Sequence, residues 1–391
     1  MSNKSHFVLI CIGIVLFIAS FARGQEVNRL QYYSAFEAHN LIYDMGRQST
    51  PLSPQRPPGV ELPNFRNDRP LFGRWITPRV KEGHLWIALD RSLKDGPYDR
   101  MFIDTNGDGS IKDETVVTAY QADRTSAKLG PVKINFPGGA EPFIYHLNFE
   151  TISRGGGDEL RIYSGSWCEG TLKFGEENIH CVLIDRNMNG TFNDKSIDSQ
   201  QCDWIRIGKN TSFVGNYLQV KGEYYEPEVA PDGTHIKLTK ADDLTFGDVG
   251  LPETLTELVA GGENGLFTIK PEKGGAKLPV GKYRILRWII IQKDDQGIPW
   301  ELEGAIHSER GDFTVSEHRA ANLRIGAQIV PDLKISKDGA SYYLFELGLL
   351  YRLAWSIKLT RDDVEPRPPV PRLRIKNEDG SYNQTFIFRY G

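Results

Sequence analysis

The sequence predicts a mainly β protein built from antiparallel sheets. Three observations carry that expectation. Short apolar runs rich in β-branched and aromatic residues recur along most of the chain, among them Leu85-Trp86-Ile87-Ala88-Leu89 and Ile285-Leu286-Arg287-Trp288-Ile289-Ile290-Ile291. Gly, Pro and Asp turn signals separate these runs at near-regular spacing, as in stacked antiparallel sheets. Two acidic stretches, beginning at Asp104 and Asp185, each lie between such runs rather than between amphipathic helices.

The elements follow in chain order. Residues 1–24 read as a secretory signal peptide. Lys4 supplies the positive end, Phe7 to Phe21 is nearly all apolar, and Ala22-Arg23-Gly24 places small residues for cleavage before Gln25. The apolar stretch is short for a membrane span, and no later segment is apolar enough to cross. The mature chain is then 391 − 24 = 367 residues, placed outside the cytoplasm, secreted or periplasmic. Residues 25–64 read as an N-terminal helix followed by a Pro-rich linker: Leu30, Tyr33, Phe36 and Leu41 are loosely helical in spacing, and 49–63 is rich in proline.

Residues 65–245 read as a β-rich calcium-loop domain. Its strand-like runs include 85–89, 132–136, 143–147 and 160–163, and it closes with a hairpin from 217–220 to 235–238 turning at Asp232-Gly233. A glycine- and proline-containing break over 242–264 separates it from a C-terminal region, 263–391, of further short strands. The last of these, Phe386-Ile387-Phe388, lies beyond the proline-rich segment Glu365 to Pro371.

The two acidic stretches share the template Asp-x-Asn-x-Asp/Asn-Gly-x-Ile/Phe-x-Asp. Loop one supplies Asp104, Asn106, Asp108, Ser110 and Asp113; loop two supplies Asp185, Asn187, Asn189, Thr191 and Asp194. Oxygens at positions 1, 3 and 5 converge, the glycine at 6 permits the bend, a backbone carbonyl at 7 adds a ligand, and the apolar residue at 8 anchors the loop. This spacing suits a hard cation, so Ca2+ is the expected cofactor. Asp/Asn/Gly clusters are also ordinary turn formers, but the match recurs down to position 10. Position 12 holds Thr115 and Ser196 instead of the bidentate glutamate, leaving Asp113 and Asp194 as substitutes. Loop one carries more acidic residues and ranks as the tighter site. The loops start 185 − 104 = 81 residues apart, which reads as a degenerate internal duplication. Strand flanks make each site a staple for a turn, poorly built to open a helix groove as a calcium sensor does.

The stretches Tyr98 to Glu114 and Val182 to Asp194, with the turn Leu278-Pro279-Val280-Gly281-Lys282-Tyr283, resemble uncharacterised secreted bacterial proteins of planctomycete type. These pair a β-rich region bearing EF-hand-like DxNxDG calcium loops with a sandwich behind it. The 278–283 turn is similar to one that enters a strand in immunoglobulin-like and prealbumin-like modules. The resemblance covers residues 65–360 loosely and implies a calcium-dependent fold followed by an immunoglobulin-like/prealbumin-like β-sandwich. It brings no known reaction.

Three cysteines follow the signal segment: Cys168, Cys181 and Cys202. A Cys181–Cys202 bridge would clamp loop two, and Cys168–Cys181 is the rival pairing; an odd count leaves one thiol free. No HExxH or GxSxG occurs, and His39, His84, His146, His180, His235, His307 and His318 are singly placed. The pairs Asp242-Asp243, Asp294-Asp295 and Asp362-Asp363 read as solvated turns, and no catalytic residue is nominated. The net charge of −4 gives no basic field for nucleic acid. These features describe a secreted calcium-binding, calcium-stabilised β-protein, a non-enzymatic binding or cell-surface module with a polysaccharide or cell-surface ligand. The alternative is an extracytoplasmic glycan-active hydrolase with calcium as a structural ion.

Overall fold

Short strands, many with alternating burial, organise most of the described residues. The computed structural model describes residues 26–42, 45–136, 143–155, 157–272, 275–306, 308–326, 330–339, 342–350, 356–361 and 370–388. Residues 1–24, read from sequence as a signal peptide, His307 and the Asp362-Asp363 pair lie outside these residues. The chain is mainly β, and among the described residues the sheets are antiparallel apart from one short parallel contact, Val249 and Gly250 with Ala321 and Asn322. No helix among the described residues is long and apolar enough to cross a membrane.

Three sheets share the first core. The largest has eight strands in the spatial order Asn210–Phe213, Trp204–Ile207, Glu177–Ile184, Ser166–Phe174, Glu26–Ser34, His235–Lys240, Glu223–Val229 and Leu218–Val220. A second runs Arg47–Thr50, Gly157–Ser164, Phe143–Arg154, Ser126–Phe136, Gln121–Ala122. A third runs Leu71–Ile76, His84–Asp90, Arg100–Ile103, Val117–Thr118. Trp75, Tyr145, Phe149, Phe192, Leu85 and Met101 are fully buried between them. Each large side chain so buried contributes roughly 1.5–3 kcal/mol.

The first strand corrects the sequence reading of an N-terminal helix. Residues 26–34 pair with Ser166–Phe174 on one side and His235–Lys240 on the other, and only Ala38–Leu41 forms a turn of helix. The inward positions include Asn28, whose amide donates to Ile236 O at 3.3 Å and whose Oδ1 accepts the Lys173 N–H at 2.9 Å. Outward Val27 is 55% exposed. A polar residue inside and an apolar one outside erase the alternation that marks a strand. The expected closing hairpin is likewise a three-strand meander, because Glu223–Val229 lies between Leu218–Val220 and His235–Lys240.

The second core starts earlier than residue 263. It gathers Val249, Leu251, Leu255, Leu258 and Ala260 with Phe267, Tyr283, Trp288, Ile306 and Val315. Phe246–Gly250 and Leu255–Gly262 are strands, the latter pairing with both Gly265–Ile269 and Gly281–Lys293. The glycines of this stretch mark close backbone approach rather than a linker. A Cβ on Gly247 would lie 2.3 Å from Ser316 O, and one on Gly262 would lie 2.3 Å from Lys282 O. The two cores are joined by backbone bonds from Asn216 N to Glu263 O at 2.7 Å and from Tyr217 N to Asn264 O at 3.1 Å. Further along, Val330–Asp338 pairs with Tyr342–Leu350, and Arg372–Lys376 with Asn383–Ile387.

Neither expected disulfide forms: Cys168, Cys181 and Cys202 are free and buried. Cys181 sits opposite Gly170 and Ile207. Cys168 is two residues from Gly170, a diagonal of roughly 8 Å from Cys181, and Cys202 lies ahead of the strand Trp204–Ile207, whose far end, Ile207, is opposite Cys181. Bridged Cα atoms lie within about 7 Å.

Candidate metal centre

Loop one leaves the buried strand Arg100–Ile103 and returns to Val117–Thr118, whose residues pair directly as Arg100↔Thr118 and Met101↔Val117. The flanks are strands, as the sequence indicates. Asp104, at position 1, is 2% exposed and acts as an internal acceptor: Oδ1 takes the N–H of Gly107 at 2.6 Å and of Asp108 at 3.2 Å, and Oδ2 takes that of Gly109 at 2.9 Å. Asn106 Oδ1 accepts the Asp108 N–H at 3.0 Å, and Asp108 Oδ1 accepts the Ser110 N–H at 2.8 Å. The Ser110 hydroxyl donates to Asp113 Oδ1 at 2.9 Å, so positions 7 and 10 also meet. Gly109, at position 6, has φ 84°, a left-handed conformation that glycine adopts without strain. Ile111, at position 8, is fully buried with Phe72, Ala88 and Phe102 and anchors the loop.

Loop two repeats this ladder between Glu177–Ile184 and Trp204–Ile207, which pair as Ile184↔Trp204. Asp185 Oδ1 accepts the Asn189 N–H at 3.3 Å, and Oδ2 accepts that of Gly190 at 2.8 Å. Asn187 Oδ1 accepts the Asn189 N–H at 3.2 Å, and Asn189 Oδ1 the Thr191 N–H at 2.9 Å. Asp194 Oδ2 then gathers the Asn187 amide at 3.2 Å, the Asn189 amide at 2.8 Å and the Thr191 hydroxyl. Positions 3, 5, 7 and 10 thus converge on one point. Half a turn of either amide exchanges nitrogen for oxygen there. Phe192, at position 8, is fully buried in the first core.

Loop two is held far more tightly than loop one. Its carbonyls at 187, 188 and 190 accept from Gln48 Nε2 at 2.9 Å, Trp75 Nε1 at 2.7 Å and Arg79 Nε at 2.8 Å. Asp185 is fully buried and also accepts the Tyr145 hydroxyl at 2.8 Å. Arg186 Nη1 donates to Met45 O at 3.0 Å, and its guanidinium lies over the Trp204 ring.

Burial sets the electrostatics of both loops. It pushes the Asp104 carboxyl above its usual range, against the Gly109 and Gly107 N–H bonds. It pushes Asp185 up to about 7, against the Tyr145 and Gly190 bonds. Sequence reasoning missed a further carboxylate, Asp203, which is fully buried. Burial first, then the charges of Asp185 and Asp194, hold it well above the usual range. Several acids raised together mark a place where a cation would be welcomed. Among the described residues no group of three or more His, Cys, Asp or Glu is arranged to hold a metal by itself. The donors here are mixed carboxylate, amide, hydroxyl and carbonyl oxygens, which suit a hard cation rather than a thiolate- or imidazole-seeking one.

Several of the other reactive side chains have structural contacts. Burial pushes the Cys181 and Cys202 thiols up to about 12, which removes them as nucleophiles. His39 stacks on Tyr163, His84 meets the Trp86 ring edge-on, and His146 bonds the Tyr32 hydroxyl at 2.9 Å. Asp294 accepts turn N–H groups of Gln296 and Ile298, each at 2.9 Å. The fold and the paired loops stand without a relative to compare: no protein family, curated protein or solved structure matches this chain.

Proposed function

We propose that this chain is a secreted, calcium-binding β-protein whose first core is stabilised by calcium at two strand-flanked loops. Its role is that of a non-enzymatic binding or cell-surface module for a polysaccharide or other surface ligand, with the second core as a β-sandwich behind it. The observation that carries the reading is the repetition of one bond ladder. In both loops position 1 accepts from positions 5 and 6, position 3 from position 5, position 5 from position 7, and position 8 is buried. Two unrelated turns have no reason to share that ladder together with its oxygen spacing.

Asp104, Asn106, Asp108, Ser110 and Asp113 would hold one ion, and Asp185, Asn187, Asn189, Thr191 and Asp194 the other. Extracytoplasmic calcium, near millimolar, fills loops of modest affinity. A ligand bound only by the folded state at a hundredfold excess over Kd adds roughly 2.7 kcal/mol. Thermal melting in millimolar calcium against EDTA, with calorimetric titration for stoichiometry, tests the reading. The expected result is a clear upward shift and two ions per chain. No shift and no heat of binding would overturn it.

A further inference from the structure

Each loop is met by a carboxylate that lies outside the ligand spacing. In loop one it is Glu114, at position 11, which accepts the Thr105 backbone N–H at 2.6 Å and the Thr105 hydroxyl at 2.7 Å. In loop two it is Asp203, which accepts the Arg186 N–H at 3.1 Å through Oδ1 and the Asp194 N–H at 2.8 Å through Oδ2. Thr105 and Arg186 both occupy position 2. The two acids come from different distances along the chain, yet both seize the peptide next to the first ligand. Asp203 adds the peptide of position 10, so one carboxylate ties the beginning of the loop to its end. The return bond from Asp203 N to Asp194 O at 3.0 Å completes the clasp.

We infer that Glu114 and Asp203 are the closing residues of the two loops, fixing the position-2 peptide so that the oxygens at positions 1 and 3 face one point. They close the loops from outside the ligand set, and the inference rests on the calcium reading above. Asp203 is a positioning residue rather than a ligand, because both of its oxygens are engaged by backbone N–H groups. An asparagine at 203 would turn its amide N–H toward one of the two backbone donors, so it can hold position 2 or position 10 but not both, and the clasp opens.

The test uses the whole protein with Asp203→Asn and, as a second and more exposed position, Glu114→Gln. Calcium affinity is read by calorimetric titration. Terbium emission is sensitised by the rings beside both loops, Trp75 and Tyr145 at loop two and Trp86 at loop one, so it is read in an Asp104→Ala background, where it reports loop two. Melting in EDTA reports the metal-free fold. Loss of an outer-shell partner weakens metal binding by about tenfold to a hundredfold. Asp203→Asn is expected to weaken uptake at loop two by at least about tenfold, more than any fall in the EDTA melting temperature accounts for. Glu114→Gln is expected to weaken the other site and leave the terbium emission intact. Wild-type affinity in both variants would overturn the inference and leave the calcium reading standing. So would losses that merely track a lower melting temperature in EDTA. If Asp203→Asn does not fold, Glu114→Gln decides alone. An unaltered protein that takes up neither ion would sink the reading and this inference together.

Discussion

Two fragments that differ only in where they start would separate a linker from a core. One begins at Asp243 and the other at Gly262, both ending at Phe388. The shorter lacks Val249, Leu251, Leu255 and Leu258, each no more than 7% exposed. At roughly 1.5–3 kcal/mol per side chain, their loss removes about 6–12 kcal/mol. A domain's whole stability is about 5–15 kcal/mol. The shorter fragment also strips the strand that pairs with Gly281–Lys293 from Leu255↔Ile290 to Gly261↔Arg284, laying bare one side of the strand that carries Trp288. Far-ultraviolet circular dichroism with thermal melting, and the emission wavelength of the buried Trp288, would read the outcome. The longer fragment is expected to melt cooperatively, and without response to EDTA; the shorter is expected to show no cooperative transition. A sharp transition and a buried tryptophan signal in the shorter fragment would refute the placement of these strands in the second core.

Other expectations follow from single side chains. Ile111→Ala empties the fully buried anchor of loop one and should cost about 2–5 kcal/mol in urea unfolding; a loss under about 1 kcal/mol would show that the loop is not anchored there. Burial, then the charge of Lys133, lowers the His146 pKa below 6.5. Its contribution to stability is therefore complete above pH 6.5 and is lost as pH falls below that value, so His146→Gln should flatten the decline in melting temperature between pH 7 and pH 5.5; an unchanged slope would remove the residue from the account. Cys168, Cys181 and Cys202 are buried free thiols, and a thiol reagent at pH 8 should label them only after denaturation. Rapid labelling of the native protein would contradict their placement.

The two acidic loops were legible as a repeated turn because their bonding is local. Every donor of the ladder lies within ten residues, and Ile111 and Phe192 sit in the core as position 8 requires. Asp203 was not legible, because its partners are 17 and 9 residues away in the chain and meet it only once the flanking strands pair. The β class could be read from runs such as 85–89, where apolar content and burial agree. Strand 26–34 could not, because inward Asn28 is satisfied by residues from two other strands. Gly261 misled for a related reason: it reads as a break, yet a Cβ there would meet the Phe213 ring at 2.4 Å. Sequence records that a side chain is missing, not which neighbour has taken its space.

The central position of the first strand also dictates when this molecule can be finished. Strand 26–34 emerges early from the ribosome, but Asn28 meets Ile236 across 208 residues of chain. Until that partner exists, one edge of the strand is an open row of donors and acceptors, a template for pairing with other chains. Contacts this distant slow folding, because the loop must close before any bond rewards it. A nascent chain stopped short of His235–Lys240 should therefore be aggregation-prone however complete its two acidic loops are, and a holding chaperone would act on the early strand rather than on the loops.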